Sequence, residues 1–384
     1  MSLEGLALRL AEIDQQGLYR RRRIVQRETG ASLQANGRTL VDFCSNDYLG
    51  LASHPDVVAA FKRGAEAYGV GSTASHLICG HSPAHHALEE ELADFVGRER
   101  ALLFSTGYMA NLGAISVLAG RGATVIEDRL NHASLIDGVQ LAGARLKRYA
   151  HGDVGDLAGK LGVSSDALVV TDGVFSMDGD VAPLPAMVEV AARAGATLMV
   201  DDAHGLGVLG PTGGGVTEVY GLSSRDVPVL VGTLGKAFGT FGAFIAGDQD
   251  LIEFLIQRAR TYVYTTALPP AVAEATRASL RLVKEESWRR EKLRRLVGRF
   301  REGALQMGLP LMESETPIQP LLLGGNEAVI TAGQRLSEAG FMVMPIRPPT
   351  VPANSARLRI TFNAHHEMEQ VDRLLDVLRS AIPH

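Results

Sequence analysis

With 384 residues the chain exceeds one ordinary domain of about 100–200 residues. Its composition, 46% hydrophobic and 21% charged with 42 glycines, excludes a disordered or collagen-like protein. The 38 basic and 43 acidic residues leave a net charge of -5, which argues against a large nucleic-acid footprint and for small-molecule partners.

Cys44 and Cys79 lie in no C-x-x-C or His/Cys ligand pattern, so neither a disulfide framework nor a zinc ribbon is indicated. The N-terminus turns charged soon after Met1 and lacks the basic-then-apolar pattern of a secretory signal, so a cytoplasmic protein without a transmembrane segment is expected. The stretch to about Tyr19 reads as an amphipathic helix ending in Arg20-Arg21-Arg22-Arg23, the densest basic run. Residues 32–35 and 38–41 flank Asn36-Gly37, which predicts a tight β-hairpin. Ser82-Pro83 reads as the N-cap and first position of a helix through His85, Leu88, Leu92 and Phe95.

From Ala101 short apolar strands alternate with helical segments, at 101–104, 123–126, 145–149, 167–171, 197–201, 228–232 and 242–246. That pattern predicts an α/β fold with a mostly parallel seven-stranded sheet and helices on both faces, its ligand site along the strand ends. A helical stretch at 270–307 leads to a smaller C-terminal α+β domain with strands at 318–323, 341–346 and 357–361. The expected divisions are 1–48 for the N-terminal helix and hairpin, 49–285 for the large domain and 286–384 for the C-terminal domain.

Lys236 stands in a glycine-rich turn, Gly232-Thr233-Leu234-Gly235-Lys236-Ala237-Phe238-Gly239, after an apolar strand. Lysine there is either a surface-loop residue or the amine that forms a Schiff base with a carbonyl cofactor. Thr233 offers a hydroxyl for a phosphate. A Walker A loop is excluded, because Leu230 and Ala237 occupy positions that need Gly and Ser or Thr. Gly205-Leu206-Gly207-Val208-Leu209-Gly210 matches a dinucleotide fingerprint by letter, yet the flanking Asp201-Asp202-Ala203-His204 and Pro211 leave no strand-to-helix context for it. Asp201, ending the run Thr197-Leu198-Met199-Val200, is either a turn residue or a partner for a pyridinium nitrogen. His204 is a structural donor or a contact to the cofactor's phenolic oxygen. The backbone N–H groups of Gly107 and Tyr108 open a helix after a strand, which serves a cap or a phosphate. His81, His85 and His86 have helical spacing but no clear acidic or Cys partner in the sequence, so no metal site is expected, and His365-His366 is read likewise.

Five segments carry a resemblance over nearly the whole chain: Ser45-Asn46-Asp47-Tyr48-Leu49-Gly50, Asn131-His132-Ala133-Ser134, Gly173-Val174-Phe175-Ser176-Met177-Asp178-Gly179-Asp180, Val200-Asp201-Asp202-Ala203-His204-Gly205 and the Lys236 turn. In these the chain resembles the α-oxoamine synthases, fold-type-I transferases that depend on pyridoxal 5'-phosphate (PLP). The resemblance implies that Lys236 carries the cofactor and acts as the base at the amino acid's α-carbon. It also implies that Asp201 contacts the pyridine nitrogen, His132 stacks on the ring, and His204 and Ser176 lie near the phenolic oxygen. Thr233 is implied to bind phosphate, and Asn46 and Arg359 to hold the amino-acid carboxylate; strand alternation puts Arg357 and Arg359 on one face.

Residues 346–352 and 318–321 are similar to the branch that condenses L-alanine with a pimeloyl thioester, on CoA or a carrier protein, in biotin biosynthesis. The alternative is a relative that uses glycine with acetyl-CoA or succinyl-CoA. By the same resemblance Thr350 and Arg20 contact the acyl substrate, while Arg20 read by itself is equally a solvated basic residue. A homodimer is implied, with Thr265 and Thr266 reaching the neighbour's phosphate. The segment Gly71-Ser72-Thr73-Ala74-Ser75-His76 departs from many relatives, which carry more Gly and often an Arg at the place of His76. An aminotransferase would instead make pyruvate from alanine without releasing CoA, and a non-enzymatic acyl-CoA or nucleotide binder gives no reason for Lys236, Asp201 and His132.

Overall fold

A computed structural model describes residues 3–28, 30–162 and 166–382. The chain begins with the exposed helix α1 (Leu6–Gln15), then β1 (Val25–Arg27), β2 (Ser32–Ala35) and β3 (Arg38–Asp42). The hairpin expected at Asn36-Gly37 joins β2 to β3, with φ of 52° and 74° at its two turn residues. Asn and Gly tolerate those positive angles, which match the twist of paired strands.

The central part runs α2 (Pro55–Tyr68), α3 (Pro83–Phe95), β4 (Arg100–Phe104), α4 (Gly107–Leu118), β5 (Thr124–Asp128), α5 (Ala133–Ala142) and β6 (Arg145–Tyr149). It continues through α6 (Val154–Leu161), β7 (Ala167–Asp172), α7 (Leu184–Ala194), β8 (Thr197–Asp201), α8 (Val216–Val219), β9 (Val229–Thr233) and β10 (Ala243–Gly247). Helices α9 (Gln249–Arg258), α10 (Arg260–Val263) and α11 (Pro270–Glu285) complete it. After α12 (Trp288–Gln306) come β11 (Ile318–Gly324), α13 (Asn326–Glu338), β12 (Phe341–Met342), β13 (Met344–Ile346), β14 (Ala356–Thr361) and α14 (Met368–Ala381).

The seven strands expected from the alternation form one sheet in the order β4-β10-β9-β8-β7-β5-β6. Only β10 runs antiparallel to its neighbours, β4 and β9. All six residues of β7 are buried, as a parallel strand covered on both faces requires. At the edge, β6 exposes Arg145, Lys147 and Arg148, whose charges discourage further pairing. One face of the sheet packs Val125, Val170, Met199 and Val231 against Ile115, Leu135 and Ile252 from the covering helices. Each such side chain contributes about 1.5–3 kcal/mol on burial, more than an exposed ion pair, so this packing sets the strand ends in place.

Two sequence expectations are revised. The helical stretch at 270–307 is two helices, because Glu286 leaves helical geometry and its carboxylate takes the Arg289 Nε–H at 2.6 Å. The strand expected at 341–346 is split between two sheets: Phe341 pairs in parallel with Val41, whereas Met344 pairs antiparallel with Arg359.

By internal contacts the chain divides into two compact units. One comprises Met1–Ser45, Met177–Gly179 and Lys292–His384, and the other Asn46–Ser176 with Asp180–Glu291. The N-terminal and C-terminal segments, set out above as separate divisions, share a unit because β12 extends the sheet of β1, β2 and β3. Among the described residues no helix is long and apolar enough to cross a membrane.

Candidate active site

The neighbouring strands β7, β8 and β9 end at Asp172, Asp201 and Thr233, and Lys236 follows within the next turn. Parallel strands bring such ends to one edge of the sheet, where the turns carry polar groups. Lys236 is half-buried in a turn closed by Gly239 N–H donating to its carbonyl at 2.9 Å. Gly239 has φ of +66°, and a Cβ there would meet Ala52 N at 2.3 Å, so only glycine lets this turn lie against residues 51–52. Thr233 Oγ1 donates to Gly242 O at 3.2 Å, a long bond that a phosphate oxygen would compete for.

Asp201 is buried, and a chain of hydrogen bonds links its carboxylate to His132. Asn111 Nδ2 of α4 donates to Asp201 Oδ2 at 2.7 Å and to Ser134 Oγ at 2.8 Å, and Ser134 Oγ stands 2.7 Å from His132 Nδ1. The Ala203 N–H satisfies the other Asp201 oxygen at 3.0 Å. Because Ser134 N–H also points at His132 Nδ1, that nitrogen is the acceptor and the proton sits on Nε2. Burial lowers the His132 pKa, the Lys236 charge lowers it further, and the Asp201 charge opposes them. His132 is thus a neutral ring that feels both charges. Its backbone N–H donates to Asp172 Oδ2 at 2.7 Å, and burial beside Asp201 raises the Asp172 pKa well above the ordinary carboxylate range.

Tyr48 joins two other candidates, its hydroxyl lying 2.6 Å from His204 Nδ1 and 3.2 Å from Asn46 Oδ1. Tyr48 and Ser134 stand in the segments that carry the family resemblance, but the sequence assigns no role to them or to Asn111. A signal was present at Asn111, an amide side chain in the mostly apolar helix of residues 107–118. Ser176 is half-buried in the loop after β7. At the start of α4, Thr106 Oγ1 caps the Met109 N–H at 3.1 Å, so Gly107 and Tyr108 N–H have no acceptor within the helix. A Cβ on Gly107 would meet nothing within 4 Å, so this helix end opens onto free space.

The glycines at 205–210 serve a different purpose from a nucleotide loop. They lie in turns, and a Cβ at Gly205 or Gly215 would strike the Asp202 carboxylate at 2.1 or 1.9 Å. Asp202 is buried, accepts the Val216 N–H at 2.7 Å, and has its pKa pushed up to about 8 by burial.

Thr265 and Thr266 run beside residues 72–75, where Thr266 pairs with Ser75 and Ser72 Oγ donates to Leu268 O at 2.6 Å. His76, in the segment that departs from the family, stacks on Tyr262 at 4.9 Å and places Nδ1 2.9 Å from His81 Nδ1. The structure also supplies the acidic neighbour that the sequence did not reveal, Glu89 Oε2 at 3.9 Å from His81 Nε2. His85 nevertheless has both ring nitrogens engaged, Nε2 with Leu268 O at 2.7 Å and Nδ1 with Ser82 N–H at 3.0 Å. Hydrogen bonding accounts for its ring, and no metal is assigned here. A cavity of about 620 Å³ lined by Arg63, Glu91, Glu274 and Arg277 contains none of the candidate residues. Its charges pair among themselves, Arg277 with Glu91 at 2.7 Å.

In the other unit, β14 separates its two arginines. Arg357 is paired with Asp178 at 2.6 Å, while Arg359 is buried and its charge is felt by the Cys44 thiol. Arg20 Nη2 reaches Thr350 Oγ1 at 3.4 Å, so the two residues implied to contact acyl substrate are brought together.

The donor set of the Lys236 site is that of a fold-type-I PLP enzyme: an amine, a buried carboxylate, a neutral ring beside both, and an open helix N-terminus. The residues fit that cofactor. A profile of the class I and II aminotransferase family matches residues 38–378. The 8-amino-7-oxononanoate synthase of Methylococcus capsulatus is 63% identical over 376 residues, 97% of each chain. Among solved structures, serine palmitoyltransferase from S. paucimobilis with bound PLP–myriocin superimposes with a TM-score of 0.93 at 34% identity, covering 99% of this chain and 98% of that one. The Francisella tularensis 8-amino-7-oxononanoate synthase gives 0.80 at 31% identity, covering 89% and 97%. The chain belongs to the class I and II aminotransferase family and, within it, to the 8-amino-7-oxononanoate synthases.

Proposed function

We propose that the protein condenses L-alanine with a pimeloyl thioester, with loss of CO2, to give 8-amino-7-oxononanoate and free CoA or carrier protein, a step of biotin biosynthesis. The observation that carries this reading is the hydrogen-bond chain that runs from the buried Asp201 carboxylate through Asn111 and Ser134 to His132, at the strand ends that lead into the Lys236 turn. Bound PLP supplies an electron sink for negative charge at the amino acid's α-carbon.

The chain's residues divide the remaining work. Lys236 Nζ would anchor the cofactor, and its amine is the group that would take the proton from the α-carbon and return one. The Asp201 carboxylate, oriented by Asn111, keeps a proton on the pyridine nitrogen. His132 would hold the cofactor ring, and His204 and Ser176 would contact its phenolic oxygen. Gly107 and Tyr108 N–H with the Thr233 hydroxyl hold the phosphate, joined by Thr265 and Thr266 from the second copy of a homodimer. Asn46 and Arg359 hold the alanine carboxylate, and Arg20 with Thr350 binds the pimeloyl chain, the guanidinium matching its far carboxylate. The free thiols of Cys44 and Cys79 suit a reducing cytoplasm.

The test is thiol release from pimeloyl-CoA by PLP-loaded protein with L-alanine, glycine or no amino acid. Release with alanine alone is expected. Release from acetyl-CoA or succinyl-CoA with glycine, and none from pimeloyl-CoA with alanine, would overturn the assignment.

A further inference from the structure

His151 follows β6 and is half-buried, and each of its ring nitrogens faces a carboxylate. Nδ1 is 3.0 Å from Asp128 Oδ1, and Nε2 is 2.9 Å from Asp180 Oδ2. Ionised carboxylates only accept, so both nitrogens carry protons and the ring is an imidazolium. Burial opposes that charge, but the hydrogen bonds to Asp128 and Asp180 outweigh it and lift the His151 pKa to about 10. The ring also meets Phe175 edge to face, with centroids 4.4 Å apart.

Asp128 and Asp180 sit at the roots of two loops that carry proposed cofactor contacts. Asp128 ends β5, where its carboxylate takes the Leu130 and Gly152 N–H groups, each at 2.8 Å, and its carbonyl takes the Asn131 N–H at 3.2 Å. Those bonds fix the turn immediately before His132. Asp180 closes the loop after β7, its carbonyl accepting the Phe175 N–H at 3.0 Å next to Ser176. Val174 pairs with Val181 at the base of the same loop.

We propose that His151 is a positioning residue for the reaction, clamping the turn that presents His132 to the loop that presents Ser176. The inference rests on the reading of the Lys236 pocket as the PLP site. Charge-assisted bonds on both sides make the clamp stiff, and removing the cation leaves two carboxylates facing each other without it.

The experiment compares PLP-loaded His151→Gln, Ser176→Ala and the double variant for kcat, KM for L-alanine and cofactor absorbance. His151→Gln alone is expected to lower kcat about tenfold, with KM changed less than about twofold. Its absorbance should move in the direction that Ser176→Ala moves it. Added to Ser176→Ala, it should cost less than about twofold more, because both changes act on one loop. Equal losses on both backgrounds, or wild-type kcat and absorbance in His151→Gln, overturn the proposal. If His151→Gln does not fold, Asp180→Asn, which keeps the His151–Asp128 pair, is read against Ser176→Ala by the same criteria. Failure of the PLP reading is distinguishable, since the unsubstituted protein would then show neither cofactor absorbance nor thiol release.

Discussion

Asn111 donates a hydrogen bond of 2.7 Å to Asp201 Oδ2 across 90 residues of sequence. The same amide holds Ser134, and through it the tautomer of His132, so one side chain orients two groups of the site. Replacing Asn111 with Leu should keep the helix while removing both bonds, and kcat should fall about 10–100-fold, the usual size for a lost buried donor to a charged group. Steady-state kinetics with pimeloyl-CoA and L-alanine measure it, and unchanged kcat would detach Asn111 from Asp201's role.

Lys236→Ala removes the amine that the proposed function makes both covalent anchor and base. Turnover should drop by at least about 10³-fold, since a methyl group can do neither task. Thiol release and the visible absorbance of the purified protein report it together. Residual activity within about tenfold of the unsubstituted protein would sink the assignment of Lys236 as anchor and base.

Gly239→Ala tests the turn rather than the chemistry. The φ of +66° strains an L residue, and the added methyl would approach Ala52 N to 2.3 Å, where backbone cannot yield. A stability loss of about 2–4 kcal/mol is expected, with weaker cofactor retention because Lys236 is displaced. Thermal melting of the apo and PLP-loaded protein separates the two effects.

The two arginines of β14 should respond differently to truncation. Arg357→Ala leaves Asp178 without its 2.6 Å partner and should lower stability by about 3–5 kcal/mol. Arg359→Lys keeps the charge but loses the guanidinium fork that the proposed function sets against the alanine carboxylate, so KM for L-alanine should rise about tenfold or more with a smaller change in melting temperature. Equal effects of both variants on KM would remove the distinction.

His151 also gives stability a pH dependence. Its folded pKa of about 10 lies above the ordinary 6.5, because Asp128 and Asp180 favour the charged ring over the cost of burial. The group therefore contributes its full stabilisation below about pH 6.5 and loses it as pH rises through about 10. The melting-temperature gap between the unsubstituted protein and His151→Gln should narrow from about pH 7 to about pH 11. A gap that stays constant would mean the ring is neutral throughout.

The strand pattern, the Asn36-Gly37 hairpin, and the candidates Lys236 and Asp201 were legible in the amino-acid order because each is announced locally, whereas His132 entered only through the resemblance to the α-oxoamine synthases. Alternation marks a strand, a glycine-rich turn frames a lysine, and an acid ends an apolar run. Local pattern could not show that residues 341–346 divide between two sheets, since the run stays apolar across the change of partner. Nor could it show that Arg357 is consumed by Asp178, that Tyr48 connects Asn46 to His204, or that His151 lies between Asp128 and Asp180. Apart from the Tyr48–Asn46 contact, these pairings depend on strand order, which places residues 23 to 179 positions apart within hydrogen-bonding reach. Sequence by itself determined which residue types stand at the strand ends. Tertiary structure decided their partners, and with them their protonation, because burial and neighbouring charge arise only when distant segments meet.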